Sequence, residues 1–354
     1  MGLVFQHSVH SRILIGDIAP VSALAGMDHL LVRTSGTSGH PKVIKRSAAS
    51  WIASFEANRT LFDLEPDDTY AVLGGFETSL SLYAVSEALH LGADVLALGG
   101  LGVHAQKSAL SDHSATVLYA TPTQLRLLAR DRSEPIPALR LILCGGGRLD
   151  PHTQAMTQDL FPNATFYEFF GAAETSFITL SDMNTPQGAV GRPYPEVEIN
   201  LEGGELWVKS PYLFDGYAQG EAPDTRWRDG FLSIGEMAEM REGYLFLLGR
   251  KSRMVTVADT NVFPEDIEAV LAFASGGRLV AAVTALDAMR GHSIIAVIEG
   301  APDPDLLAEL QSAARDGLPP VARPKRFLFH PSFPLLGSGK PDLAALTIWA
   351  KDQL

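Results

Sequence analysis

Short apolar runs alternate with stretches of helical periodicity over the first half of the chain. Residues 30–33 read as a strand that runs into a Gly/Ser/Thr loop, and residues 45–61 carry a helical pattern with Trp51, Phe55 and Leu61 at candidate buried positions. Residues 70–73 predict a strand, 80–91 a helix and 94–98 another strand. Residues 116–119 form a strand leading to a helix at 122–130, and 139–143 a strand ending in Gly145-Gly146-Gly147. Strand, Gly-rich turn, helix, strand is the rhythm of a doubly wound, mostly parallel α/β sheet. Ligands of such sheets sit at the carboxyl ends of the strands. From about residue 198 the texture changes to short strands at 197–201, 205–208, 231–234 and 244–248, with turns at Gly203-Gly204, Asp229-Gly230 and Glu242-Gly243. This predicts a small antiparallel, barrel-like sheet attached to the α/β part. After Arg250 comes an α+β tail, with helices at 264–271 and 306–315 and strands at 279–285, 293–299 and 326–330. The expected division is a large domain over residues 1–250 and a small mobile one over 251–354.

Composition narrows the function classes. Of 354 residues, 46% are hydrophobic and 19% charged, which excludes a mainly disordered chain. A net charge of −13 argues against nucleic-acid binding, which needs a basic footprint, but not against a locally bound polyanion. A single cysteine, Cys144, allows no intrachain disulfide and points to a reducing, cytoplasmic home; it reads as a small apolar residue at a strand end. The first 20 residues lack the apolar core of a signal peptide. The longest apolar candidate, residues 80–98, is broken by Glu87, His90 and Asp94, so no membrane span is expected. The ten histidines show no metal-ligand spacing, and no zinc site is expected.

The densest chemistry lies in Arg33-Thr34-Ser35-Gly36-Thr37-Ser38-Gly39-His40-Pro41-Lys42. Two glycines allow a tight turn with exposed N–H groups, four hydroxyls add donors, and Lys42 adds a fixed positive charge. That combination suits a polyphosphate, although the spacing is not that of a Walker A loop.

This loop resembles the phosphate-loop signature of the adenylate-forming superfamily, which holds acyl-CoA synthetases, nonribosomal-peptide adenylation domains and luciferases. Further segments are similar to that superfamily's motifs in order. Phe169-Phe170-Gly171-Ala172-Ala173-Glu174 is similar to its aromatic-Gly-x-Thr-Glu segment, and Gly204-Glu205-Leu206-Trp207-Val208, with Ser210-Pro211 and Gly216-Tyr217, to the one after it. Asp229-Gly230-Phe231-Leu232-Ser233-Ile234-Gly235-Glu236 is similar to the segment ending in Thr-Gly-Asp, and Gly249-Arg250-Lys251-Ser252 to the hinge motif. Phe263-Pro264-Glu265-Asp266-Ile267-Glu268 and Pro334-Leu335-Leu336-Gly337-Ser338-Gly339-Lys340 complete the series, so the resemblance covers nearly the whole chain. The stretches at residues 78–83 and 174–178 look nearest to short acyl-CoA synthetases of the o-succinylbenzoate and fatty-acid type.

The resemblance implies a reaction and a cast of residues. A small-molecule carboxylic acid attacks the α-phosphate of ATP, giving acyl-AMP and pyrophosphate. A thiol, from CoA or the phosphopantetheine of an acyl carrier protein, then takes the acyl group. Thr34, Ser35, Gly36, Thr37, Ser38, Gly39 and Lys42 would hold the β- and γ-phosphates, and Glu174 would ligate Mg²⁺. Gly145, Gly146, Gly147, Phe169, Phe170, Gly171 and Ala173 would line the adenine slot, and Glu236 and Arg250 the ribose. Lys340 would reach the reacting carboxylate and the bridging oxygen, where a cation stabilises developing charge. Phe76, Thr78, Ser79 and Phe177 are candidates for the acyl pocket, with burial in the core as their other reading. For Glu236 and Arg250 the other reading is a structural ion pair. Lys251 and Ser252 would be the hinge about which the small domain rotates between half-reactions.

Departures from the pattern set alternatives. About 30 residues precede the phosphate loop, far fewer than usual, so the resemblance implies a truncated N-terminus. Either a partner subunit or a second copy in a homodimer would cover that face, or the substrate site would be open. Glu236 stands where Asp is usual, and Ala173 replaces a hydroxyl residue. The Val257-Ala258-Asp259-Thr260-Asn261 loop lacks its usual glycine, and Glu77 or Thr78 falls where a gating histidine often stands. The last two departures bear on the thiol step. Two alternatives to an acid–thiol ligase therefore stand: a degenerate nucleotide- or acyl-AMP-binding subunit of a larger complex, and an enzyme that only adenylates.

Overall fold

Parallel strands buried on both faces form the centre of the large domain. The computed structural model describes residues 11–17, 27–34, 42–130, 134–287, 289–335 and 341–354. Within them an eight-stranded sheet runs, in spatial order, Ile13–Ile15, Asp94–Ala97, Thr69–Val72, Val117–Ala120, Leu141–Gly145, Thr165–Ala172, Ser176–Ser181 and Arg192–Pro193. All are parallel to their neighbours up to Thr165–Ala172, and the last two are antiparallel. Successive side chains of a strand leave on opposite faces, and here the alternation sorts them into two cores. Tyr70, Val72, Val95, Val117, Tyr119, Leu141 and Leu143 join Trp51, Phe55 and Val85 on one side. Ala71, Leu96, Leu118, Ala120, Ile142 and Cys144 join Leu110, Leu125 and Leu160 on the other. The helices Ala48–Phe62 and Ser79–Leu91 cover the first face, and Val103–Asp112, Pro122–Ala129 and Pro151–Leu160 the second. This is the doubly wound arrangement that the sequence rhythm predicts.

Helix starts follow the capping residues. Ser47, Thr78, Thr121 and Asp150 each accept a backbone N–H of the first turn. The helix expected from Lys45 begins instead at Ala48. Residues Lys42–Ser47 alternate, with Ile44 and Arg46 buried and Lys45 exposed. They pair as a strand between His29–Thr34 and Gly216–Gln219. Tertiary pairing overrides the local helical pattern there, and Ser47 ends the strand as the cap.

The antiparallel part is a six-stranded sheet in the order Arg226–Arg228, Phe231–Ser233, Glu205–Lys209, Glu236–Arg241 and Tyr244–Arg250, with Glu198–Glu202 on Glu205–Lys209. It packs on the large sheet through Ile178, Leu206, Val208, Ala238 and Leu245. The small C-terminal domain is a three-stranded sheet, Val280–Asp287, Gly291–Glu299 and Arg326–His330. Helices Pro264–Ala274 and Pro304–Gly317 cover one face, and Leu343–Asp352 the other. A separate hairpin, Val255–Val257 with Thr260–Val262, turns through Ala258 (φ 46°) and Asp259 (φ 62°). Two consecutive left-handed residues make a primed turn, the kind whose twist matches a hairpin. Asp tolerates that region; Ala occupies it at a cost. The glycine missing from this loop in the sequence is therefore missing where the backbone would use one.

One polar group lies deep in the first core. Glu87 is fully buried and accepts from Asn58 Nδ2 at 2.8 Å, Tyr119 Oη at 2.5 Å and Tyr70 Oη at 3.2 Å. Asn58 Oδ1 accepts in turn from Tyr194 Oη at 2.6 Å, and Tyr83 Oη lies 2.7 Å from Ser54 Oγ. Burial pushes the Glu87 carboxyl up to about 7, against the hydrogen bonds that pull it down. The folded protein thus keeps a proton that the unfolded chain releases above an ordinary value of 4.5. Stability from this group is complete below that value and declines as pH rises to about 7. We expect urea unfolding of the wild type to lose up to about 3 kcal/mol across that window relative to Glu87→Gln. A pH-independent difference between the two proteins would refute this.

Candidate active site

The strand Lys42–Ser47 delivers one basic residue to the carboxyl edge of the large sheet. Its register sets Ile44 opposite Tyr217 and Lys45 opposite Gly216. Lys42 Nζ stands 5.8 Å from the centroid of the Tyr217 ring, a cation–π distance. At the other end of that ring the Tyr217 hydroxyl donates to Glu174 Oε1 at 2.8 Å and lies 3.0 Å from Thr225 Oγ1. One phenol therefore links the lysine and the carboxylate singled out in the sequence. Burial, and then the Glu174 charge, push the Tyr217 phenol above its ordinary range, so it remains a donor at neutral pH. A carboxylate offers about four lone-pair sites. With one used by Tyr217, Glu174 retains the hard oxygen donors that Mg²⁺ takes alongside phosphate oxygens. Among the described residues no cluster of three or more His, Cys, Asp or Glu could cage a metal.

Glu174 sits on the turn between the antiparallel strands Thr165–Ala172 and Ser176–Ser181. Thr175 Oγ1 accepts from Ala172 N at 3.0 Å, and Glu174 O accepts from Phe214 N at 2.9 Å. Two glycines let the chain reach this geometry. A Cβ on Gly145 would come within 2.1 Å of the Phe169 ring that lies across it. A Cβ on Gly171 would come within 1.9 Å of the Ser176 carbonyl oxygen. Gly146 and Gly147 follow at the exposed strand end, with Gly146 at φ +86°. Phe169 and Phe170 point to different cores, Phe169 against Phe177 (ring centroids 4.5 Å) and Phe170 toward Ile178 and Leu206. Ala173 packs half-buried against the first core.

The other expected residues divide. Phe177 is 3% exposed, stacked on Tyr194 at 5.0 Å and edge-on to Tyr83 at 5.4 Å, so it belongs to the core. Phe76 packs half-buried against that core, Ser79 is half-buried, and Thr78 is exposed and caps its helix. Glu236 and Arg250 are cross-strand partners, with Arg250 Nε 3.1 Å from Glu236 Oε1. Lys251 donates its amide to Gly235 O at 2.8 Å and its ammonium to Glu205 Oε2 at 3.0 Å. Burial opposes the Glu205 charge, but Ser233, Arg226 and Lys251 together hold its carboxyl below the usual range. Ser252 is exposed. Burial pushes the Cys144 thiol up, which leaves it inert. Ser35, Gly36, Thr37, Ser38, Gly39 and Lys340 lie outside the described residues, and of Thr34 only the backbone, paired with Lys42, is described. Leu335 and Pro341, which flank the Lys340 segment, likewise pair with each other. Among the described residues no helix is long and apolar enough to cross a membrane.

Two residues near Glu174 carry contacts that sequence reasoning gave no role. Tyr217 lay inside a recognised segment, but its partner was out of reach of spacing arguments. Arg46 falls where the sequence reads as helix, and its burial shows only once Lys42–Ser47 pairs as a strand.

The model of the AMP-binding enzyme family matches residues 27–218. The acyl-CoA ligase YhfT of Bacillus subtilis, itself uncharacterized, is 30% identical over 336 residues, covering 91% of this chain and 68% of its own length. The chain belongs to the AMP-binding enzyme family. It is thus an adenylate-forming enzyme. The fold agrees. The amide bond synthetase McbA from Marinactinospora thermotolerans superposes with a TM-score of 0.79 at 24% identity, covering 95% of this chain and 72% of that one. The o-succinylbenzoate CoA synthetase MenE from Bacillus subtilis, in complex with its acyl-adenylate, gives 0.78 at 23% identity, covering 89% and 68%. The chain spans 52–68% of the length of curated relatives that it matches.

The two close approaches at the site differ in what must yield. At Gly145 the obstacle is a side-chain ring, whereas at Gly171 it is backbone. Gly145→Ala is expected to cost about 1–3 kcal/mol in urea unfolding, the range for overpacking, and Gly171→Ala more. The reverse order would show that the Phe169 ring yields less readily than the backbone at Ser176.

Proposed function

We propose that this AMP-binding enzyme is an acid–thiol ligase. It binds ATP with Mg²⁺ and a small-molecule carboxylic acid, forms acyl-AMP and releases pyrophosphate, and transfers the acyl group to the thiol of CoA or a carrier-protein phosphopantetheine. The observation that carries this reading is the Lys42–Tyr217–Glu174 arrangement at the carboxyl edge of the parallel sheet. It sets a cation and a carboxylate on either side of one phenol, as a polyphosphate with its divalent counter-ion requires.

Each residue then has a task. Lys42 and the Thr34-to-Gly39 loop bind the β- and γ-phosphates and so hold the leaving pyrophosphate. Glu174 supplies a hard oxygen toward Mg²⁺, which when bound neutralises phosphate charge. Gly146 and Gly147, at the exposed strand end, let the adenine approach backbone, with Gly145, Phe169, Phe170, Gly171 and Ala173 around it. Glu236 and Arg250 meet the ribose, and their ion pair holds both side chains in place. The substrate carboxylate oxygen bonds to the α-phosphorus as the bond to the bridging oxygen breaks. Lys340 balances the charge that gathers on those oxygens. A hinge at Lys251 and Ser252, dividing residues 1–250 from 251–354, brings Lys340 to the site and withdraws it.

The acceptor is the finer question. The name of YhfT supports CoA. Two solved structures of this fold, named for amide formation and for CoA ligation, match almost equally well, so the fold itself favours neither. An amine acceptor is therefore the second reading.

Carboxylate-dependent ATP–pyrophosphate exchange, run across aliphatic and aryl acids, tests the first half-reaction. Exchange is expected with some acid and is expected to fall about 10²–10³-fold in Lys340→Ala. CoA, a carrier protein and simple amines, added separately, then identify the acceptor. Binding of Mg·ATP without exchange for any acid would replace this reading with that of a nucleotide-binding subunit.

A further inference from the structure

We infer that Arg46 is a positioning residue that fixes the turn bearing Glu174 and the segment leading to Tyr217 against the Lys42 strand, and thereby sets the affinity of the site for a divalent cation held with nucleotide. The inference rests on the reading of Glu174 as the carboxylate that faces the cation. Arg46 belongs to none of the motifs that identify the family.

Its geometry is unusual for an arginine. The side chain is fully buried, yet its donors go to backbone and to a hydroxyl. Nη2 donates to Ala173 O at 2.7 Å, one residue before Glu174. Nη1 donates to Tyr212 O at 2.6 Å and to Ser50 Oγ at 3.1 Å. Nε is buried without a hydrogen-bond partner, and the guanidinium lies 5.6 Å from the Trp51 ring. A buried charge without a paired carboxylate is costly. Burial accordingly lowers its pKa to about 10, with Tyr83, Asp215 and Glu174 opposing, and the group stays charged at neutral pH. An apolar side chain would fill the space without that cost, but it would strand two buried carbonyls.

Those two carbonyls belong to the two segments that complete the site. Ala173 precedes Glu174, and Tyr212 precedes the strand Gly216–Gln219 that carries Tyr217. A planar guanidinium can donate to both at once, which a point-like ammonium does less well. Lys42, Ile44 and Arg46 share one strand face by the period of two. The strand therefore offers a cation to the ligand at one end and, about 13 Å along at 3.3 Å per residue, a clamp beneath Glu174 at the other. Glu174 is tied to this strand twice, through Tyr217 at its carboxylate and through Arg46 at its backbone.

The test uses Mn²⁺ as the probe, with its binding in the presence of ATP read by electron paramagnetic resonance. Wild type, Arg46→Lys, Glu174→Gln and the double variant are compared, with circular dichroism as the check on folding. Arg46→Lys is expected to weaken Mn²⁺ binding about tenfold, in the range for a group that orients a metal's carboxylate. In the Glu174→Gln background it is expected to add nothing, because it acts through Glu174. A general structural role would instead lower the amount of folded protein and leave the constant of the remainder unchanged. An unchanged constant in Arg46→Lys, or equal weakening in both backgrounds, overturns the role of Arg46. An unchanged constant in Glu174→Gln overturns the reading of Glu174 and the clamp with it. Should Arg46→Lys not fold, Ser50→Ala carries the test, since it removes one acceptor and keeps the charge. A weaker shift in the same direction is expected, and no shift overturns the inference.

Discussion

Strands covered on both faces leave a ligand only their ends. The central strands of the large sheet feed two cores, split residue by residue, with Tyr70 on one side and Ala71 on the other. Neither face has room for a substrate. The open places are the turns where the strands stop, as at the exposed Gly146 and Gly147. Gly145 ends its strand beneath Phe169, and Gly171 lies against the Ser176 carbonyl. The candidate site is therefore a consequence of burial: the packing that excludes ligands from the sheet leaves them its carboxyl edge, where the turn bearing Glu174 lies.

The same burial decides what the polar residues do. Glu87, Arg46 and Glu205 are all nearly inaccessible, and each is resolved differently. Glu87 has hydroxyls and an amide as partners, so its proton is the cheapest means of neutrality. Glu205 has Arg226, Lys251 and Ser233, so it stays ionised and becomes a node between the antiparallel sheet and the start of the C-terminal part. Arg46 can do neither, because its neighbours are carbonyls, and it spends its charge on orienting two segments. Burial alone does not sort structural from functional polar groups; the identity of the partners does.

Much of the fold was legible in the sequence, for a physical reason. Strands buried on both sides are apolar throughout, as Leu141–Gly145 is, and such runs stand out in the sequence. The family was legible as well, because backbone-limited turns admit few residues and so leave ordered signatures. Legibility failed where long-range pairing decides. Residues 45–47 carry a helical pattern and form a strand, since the partners His29–Thr34 and Gly216–Gln219 are distant in sequence. For Phe177 the sequence left pocket and core both open, and the rings packed on it, Tyr83, Phe169 and Tyr194, lie beyond its local pattern. The Tyr217–Glu174 bond spans 43 residues, and no local pattern reports it.

The junction near Lys251 shows how ion pairs bear on the proposed hinge. On its N-terminal side Lys251 is bound to Gly235 and Glu205, both in the antiparallel part. On its C-terminal side Arg253 is bound to Glu268 at 2.7 Å and Glu265 at 3.1 Å, both in the helix Pro264–Ala274. Exposed Ser252 lies between the two anchors. Across the junction runs the longer contact from Arg250 N to Glu265 Oε1 at 3.4 Å, while Glu265 Oε2 is buried without a hydrogen-bond partner. Burial pushes the Glu265 carboxyl up, against Arg253, so burial works against the charge of the group that forms this strut. Arg253 N and Met254 N also donate across Ser252 to Arg250 O, at 3.0 and 3.1 Å, so rotation there would keep both side-chain anchors and break this backbone turn together with the weaker strut.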